Sequence, residues 1–360
     1  MKKIIITLFF ISLSLNAQII DDAWVKAEHK TVRLTLKDKT EYPLIHLDRP
    51  QGTPVILLHG IGGNAHNWMD LAPALYKSGF DVWAFTWAAN KDRNIDEAGS
   101  LTVKEIINYV YGKTGKKAFL VGHSLGGILS KIYVLGVVQS PITGRYYVSK
   151  VAKRNSKARL HGFVSIASPN GVNPESLEKF LPIFANLPTM SLIGTRDLSE
   201  VINDGNLDLD LWFARAIEVN SLGSRLPLIS SAMKLLFNMK YHRISDYDLG
   251  RIARYGFGAV PPAVIEQVRS VGNEGLVSSD TQTNYAKIFV EEKRHIPFAF
   301  ISAAADQIAP DSSISFEADA QNSEFLSLPN AGHLDPLMGD MMDETLYFMN
   351  RFFNETLDRQ

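Results

Sequence analysis

Two patterns of apolar and polar positions divide this chain. Over residues 31–171, and again from residue 295, short apolar runs of strand length alternate with stretches of helical spacing. Residues 31–36 alternate apolar and polar, 42–47 do so more loosely, and Lys37-Asp38-Lys39 between them reads as a turn, so an antiparallel hairpin is expected. Val55-Ile56-Leu57-Leu58 is a continuous apolar run, the mark of a strand buried on both faces. A helix is expected over 67–77, a strand over 80–86 and a helix over 100–112, where Val103, Ile106, Ile107 and Val110 share one face. A strand over 117–121 runs into a helix-like stretch at 128–138, and 160–167 is a further strand. The rhythm returns with a strand at 296–302, a helix at 310–321, a short strand at 323–328 and a closing helix at 340–357. Strand alternating with helix predicts the α/β class, with a mostly parallel central sheet and helices on both faces.

Between these halves the strand signal disappears. Residues 172–294 hold only helical patches broken by Pro and Gly, at 177–193, 207–219, 226–239 and 260–271. They are read as a helical cap inserted into the core. The expected division is therefore a core in two parts, 18–171 and 295–360, with the cap at 172–294. Residues 1–17 stand apart. Met1-Lys2-Lys3 precedes an apolar run from Ile4 to Leu15, and Leu15-Asn16-Ala17 offers a cleavage site, which reads as a secretory signal peptide. An exported, periplasmic or secreted protein is the expectation.

Composition alters this picture little. The 360 residues are 46% apolar and 21% charged, with a formal net charge of −1, which gives no support for a nucleic-acid partner. The chain has no Cys, so disulfides and a thiol nucleophile are excluded.

The strongest chemical signal is Gly122-His123-Ser124-Leu125-Gly126, set between the apolar run and the helical stretch. This is the G-x-S-x-G turn from strand to helix. The turn is too tight for side chains two positions either side of the Ser, and it lifts the Ser124 hydroxyl out of the sheet edge. It also aims the first N–H groups of the helix at the same spot, where negative charge is favoured. Ser is a weak nucleophile near neutral pH and needs a base, which needs an orienting acid. In this fold the acid and then the His follow the Ser along the chain. Asp306, at the end of an apolar strand, is the expected acid, with Asp335 its main rival and Asp280 and Asp311 behind it. His333, in the loop after the last short strand, is the expected base. His59 is read as shaping its Gly-rich loop, and His123, inside the turn, as pointing away from Ser124. The expected oxyanion donors are the backbone N–H groups of Leu125, first after the Ser, and of Ile61, in the loop His59-Gly60-Ile61-Gly62-Gly63.

His59-Gly60-Ile61-Gly62-Gly63, Gly122-His123-Ser124-Leu125-Gly126-Gly127, Asp306 and Gly332-His333 together resemble the α/β-hydrolase superfamily, and bacterial lipases and esterases within it. The resemblance covers roughly residues 50–170 and 296–357. Residues 305–310 and 332–335 also resemble the polyhydroxyalkanoate synthase and acid-lipase branch, but the synthases, like dienelactone hydrolases, use Cys where this chain has Ser124. Dehalogenases and epoxide hydrolases carry Asp there. The resemblance implies acyl transfer through Ser124, His333 and Asp306 on a small-molecule or lipid ester, with no cofactor, and is compatible with peripheral contact with lipid surfaces. Polyester depolymerisation, amide hydrolysis and acyl transfer to an alcohol use the same groups, and a non-catalytic binding protein is the remaining class. Residues 273–280 faintly resemble the acidic loop that holds calcium in some bacterial lipases, but a solvated turn is the reading adopted, so no metal is expected.

Overall fold

The computed structural model of the chain describes Trp24, residues 32–90 and 92–169, then 252, 256, 258, 260–269, 275–276, 278–280, 283–292 and 294–360. The leader at 1–17 and the patches at 177–193, 207–219 and 226–239 lie outside the described residues.

The N-terminal alternation forms its hairpin. β1 (Val32–Thr35) runs antiparallel to β2 (Glu41–Leu47), with Val32 opposite Leu44 and Thr35 opposite Glu41. β3 (Pro54–Leu58) is buried throughout, as its unbroken apolar run requires. The helix expected over 67–77 is split. Asn64 accepts from the His66 N–H while Asn67 bonds back to the Asn64 N–H, which starts a 3-10 turn at Ala65–Trp68; α1 then covers only Leu71–Lys77. β4 (Asp81–Phe85) follows. The next helix, α2 (Val103–Thr114), starts after a π-helical turn at Ala98–Thr102 and stops at Gly115, which has φ 67°.

β5 (Ala118–His123) leads directly into α3 (Leu125–Leu135). Gly136, at φ 73°, ends α3 three residues short of what the apolar run suggests, and Val137 and Val138 enter a strand instead. That strand, β6 (Val137–Gln139), pairs antiparallel with β7 (Tyr146–Val148), a small hairpin invisible in the pattern because each arm has only three residues. α4 (Lys150–Arg159) and β8 (Leu160–Ile166) complete the first half. In the second half come α5 (Pro262–Arg269), α6 (Tyr285–Glu291), β9 (Phe298–Ala303), α7 (Asp311–Ala320), β10 (Glu324–Leu328) and α8 (Met342–Asp358). α5 and α6 fall within the span 172–294. α6 packs Phe289 on Phe298 of the central sheet, with ring centroids 5.5 Å apart.

The described strands build an eight-stranded sheet in the order β1-β2-β4-β3-β5-β8-β9-β10, parallel from β4 to β10. α1 packs with α8, while α2, α3, α4, α6 and α7 form a second packed group, so helices cover both faces. On the α8 side the fully buried Phe119 of β5 stacks on Phe353 at 4.1 Å. Burying a side chain of that size contributes about 1.5–3 kcal/mol. The crossovers leave the loops after β3, β5, β9 and β10 at one edge of the sheet, where an open α/β sheet presents its ligand-binding crevice.

Candidate active site

Ser124 sits at the end of β5 with φ 51° and ψ −124°, a positive φ that a side-chain-bearing residue adopts at a cost of about 1–3 kcal/mol. Its N–H donates to Ile166 O at 2.9 Å, and its carbonyl accepts from Gly127 and Ile128 as α3 begins. The strain is held in place by contacts only glycine permits. A Cβ at Gly122 would fall 2.5 Å from Gly126 O, and one at Gly126 would collide with the Leu58 carbonyl. The turn is thus wedged between its own helix and the end of β3. Leu125 is the first residue of α3, so its N–H is among the donors a helix start leaves without an intrahelical acceptor.

The loop after β3 lies directly against Ser124: a Cβ at Gly60 would be 3.0 Å from Ser124 Cβ. His59 Nδ1 is 2.7 Å from Gly60 O. Complete burial pushes the His59 imidazole down to about 4, so it is neutral, and a carbonyl only accepts; Nδ1 therefore carries the proton and donates. The peptide bonds of the described chain are not cis, so fixing the Gly60 C=O turns the N–H of the same peptide, that of Ile61, to the opposite side. The His59 ring stacks on Trp87 at 5.2 Å, and Trp87 Nε1 donates to His59 O at 2.7 Å. Farther along, Gly258 N donates to Gly62 O and Asn67 Nδ2 to Gly256 O, tying the loop to the returning chain.

Asp306 follows β9 and His333 follows β10, and the two loops are laced together: Ala305 N donates to Ala331 O and Ala304 N to Leu328 O. His333 Nδ1 is 2.6 Å from Asp306 Oδ2, with both side chains buried. The other carboxylate oxygen accepts from the Ile308 and Ala309 N–H groups at 2.8 and 3.1 Å. The carboxylate thus holds the imidazole proton on Nδ1 and leaves Nε2 as the acceptor nitrogen. His123, the residue before Ser124, approaches His333 from the elbow: its Nε2 lies 2.9 Å from the His333 carbonyl, and the rings are 4.7 Å apart. Burial, then the neighbouring His333 and His59, drive the His123 pKa well below its ordinary value, offset in part by that bond. A neutral His123 donates to the carbonyl. Reading His123 only as a residue that points away from Ser124 missed this link. The motif offers no signal for it, since the partner is a backbone carbonyl 210 positions away.

The rival acids have other partners. Asp335 accepts from the Gly332 N–H and shapes the turn that carries His333. Asp311 accepts from Ser302 and Ser327 hydroxyls, joining β9 to β10. Asp280 accepts from the Tyr146 N–H at 2.9 Å and from Ser278, which makes it part of a turn; Glu274, its companion in the calcium-like loop, lies outside the described residues. His46, Asp48 and Asp81 form the one metal-like cluster among the described residues. Asp81 is already engaged there by His46, the Arg49 N–H and Trp83 Nε1, so the group reads as a hydrogen-bonded pin. A pocket of about 490 Å³ opens beside His295, Pro297, Ser323 and Phe352, at the N-terminal ends of β9 and β10 and therefore at the opposite edge from Ser124.

Behind the elbow, Lys131 of α3 reaches Glu317 of α7 and donates to Ser168 O at 2.6 Å, all in the interior. Nothing in the spacing of the sequence pairs residues 131 and 317.

Residues 53–340 match the family described as alpha/beta hydrolase fold. Among curated proteins, the chain is 28% identical over 137 residues to the dihydrolipoyllysine-residue acetyltransferase component of the acetoin cleaving system of Pseudomonas putida. That alignment takes in 36% of either chain, so this chain spans about a third of that relative's length. Among solved structures it is similar to a thermophilic esterase from Thermogutta terrifontis (TM-score 0.50, 15% identity, 91% of this chain and 98% of that one). It is also similar to a structure from work on carboxylesterases of Nitrososphaera gargenis (TM-score 0.54, 14% identity, 90% and 100%). At such identities these likenesses carry the fold.

Proposed function

The chain belongs to the α/β-hydrolase fold family, and we propose that within it this protein is a serine hydrolase that cleaves carboxylic esters through an acyl-enzyme. One observation carries the reading. A serine held at positive φ stands at the same sheet edge as an imidazole whose Nδ1 is hydrogen-bonded to a buried, doubly anchored carboxylate. In this reading Ser124 Oγ attacks the ester carbonyl as His333 Nε2 takes its proton. The carbonyl oxygen, now an alkoxide, is held by the N–H groups of Leu125 and Ile61; losing one such donor costs about 2.7–4 kcal/mol in the barrier. The alkoxide collapses, the ester bond breaks, and the imidazolium returns its proton to the leaving alcohol. Water then repeats the sequence, releasing the acid and restoring Ser124. Asp306 keeps the imidazole in the right tautomer and stabilises its charged form without itself becoming protonated.

The test is hydrolysis of p-nitrophenyl esters of increasing acyl length by the wild type and by Ser124→Ala. Wild-type activity that falls at least about a thousandfold in the variant is the expected result, and the optimum length identifies the ester class. A folded wild type inert on every ester, yet labelled at Ser124 by a fluorophosphonate, moves the reading to amides or polyesters. Inert and unlabelled protein overturns it.

A further inference from the structure

An exposed surface lies at the other end of α3. That helix runs 11 residues from Ser124, about 16 Å, to Gly136, where the β6–β7 hairpin begins. The turn of the hairpin carries Ile142 in water, 92% exposed, and Tyr147 on β7 is half exposed. α4 continues without a break: its N-cap Ser149 donates to Gly136 O at 2.8 Å, so helix and hairpin form one unit. From Ser140 to Gly162 there is no Asp or Glu, whereas Arg145, Lys150, Lys153, Arg154, Lys157 and Arg159 are all cationic, in a chain whose net charge is −1. Two of these are spoken for: Lys153 pairs with Glu292, and Arg159 lies over the Tyr111 ring. The other four are exposed. Lys150, Arg154 and Lys157, at spacings of four and three, share one helix face, and Val151 beside them is 64% exposed.

We propose that the β6–β7 hairpin and α4 form a docking surface for an anionic phospholipid membrane. The charge fits a negative headgroup layer. The isolated apolar tip fits insertion between headgroups, which a soluble polyanion would not reward. Each cation strengthens attachment to an anionic surface roughly fivefold. The surface anchors the molecule about 16 Å from Ser124 and is independent of which bond that serine cleaves.

The test is sedimentation of the full chain with vesicles of phosphatidylglycerol and with vesicles of phosphatidylcholine, at low and high salt. The wild type is expected to bind the anionic vesicles, less so in high salt. The triple variant Lys150→Glu/Arg154→Glu/Lys157→Glu, all at exposed sites, should bind about a hundredfold or more weaker, and Ile142→Ser several-fold weaker. Circular dichroism of each variant confirms folding. Equal binding by wild type and triple variant, which attachment through the apolar residues 4–15 would give, overturns the proposal. So does binding to a soluble polyanion such as heparin with none to phosphatidylglycerol.

Discussion

Asp306 and Asp335 are the two leading candidates for the acid, and their partners assign them different work. Asp306 spends one oxygen on the imidazole and the other on two backbone N–H groups, while Asp335 accepts from the Gly332 N–H. Asp306→Asn is therefore expected to lower kcat by about 10⁴-fold with little change in KM, because the imidazole proton is no longer held on Nδ1. Asp335→Ala leaves a buried N–H without its acceptor and should appear as a loss of about 1–3 kcal/mol in urea unfolding, with a much smaller effect on kcat. The reverse pattern would make Asp335 the orienting acid. At this scale the sequence was informative where chemistry is tied to local shape. Ser124 lies in a turn that demands glycines at 122 and 126, and Asp306 follows a strand end. The His123 bond to the His333 carbonyl and the His59 bond that orients the Gly60 peptide could not be read, since backbone acceptors have no letter in a sequence.

At the scale of elements, the strands were legible because a parallel sheet buried on both faces needs unbroken apolar runs, as in β3, β5 and β9. What escaped was set by short-range stops and long-range pairs. Gly136 ends α3 and hands two valines to a three-residue strand, and α4 is too polar to show a buried face. The long-range case is Lys131, which joins the nucleophile helix α3 to α7 through Glu317 and to the end of β8 through Ser168 O. Burial lowers the Lys131 pKa while Glu317 opposes the shift, so the ammonium depends on its partner. Removing one member strands a charge in the interior. Lys131→Met is expected to cost about 3–5 kcal/mol in denaturant unfolding, and Lys131→Met/Glu317→Leu to recover most of it. A double variant no more stable than the single one would mean that the Ser168 contact, not the ion pair, holds the helices together.

Over the whole molecule, burial has been applied repeatedly to one residue type. His59, His66 and His295 are each pushed down to about 4, and His123 is driven well below its ordinary value, burial being the largest cause in every case. The unfolded chain takes up these protons from about pH 6.5, whereas the folded protein resists until about pH 4. Between those values the unfolded state binds more protons, so stability is fully present above about pH 6.5 and is lost as pH falls towards 4. A fully buried histidine such as His59 adds a slope approaching 1.4 kcal/mol per pH unit, written as about one proton. The groups against His59 are the Trp87 ring, the Gly60 carbonyl and His123, and its protonation would place a charge beside another buried imidazole. His59→Asn keeps a donor for the Gly60 carbonyl but cannot take up that proton. Denaturant unfolding of the wild type from pH 7 down to about 4.5 should show a steep loss of stability, and the variant a slope shallower by up to one proton. Ester hydrolysis measured on the same samples reports on the active site wherever the fold persists, and so separates its response to acid from collapse of the fold itself. Parallel slopes for wild type and variant would mean that His59 takes up its proton in the folded protein as readily as in the unfolded chain, with Nδ1 still donating to the Gly60 carbonyl.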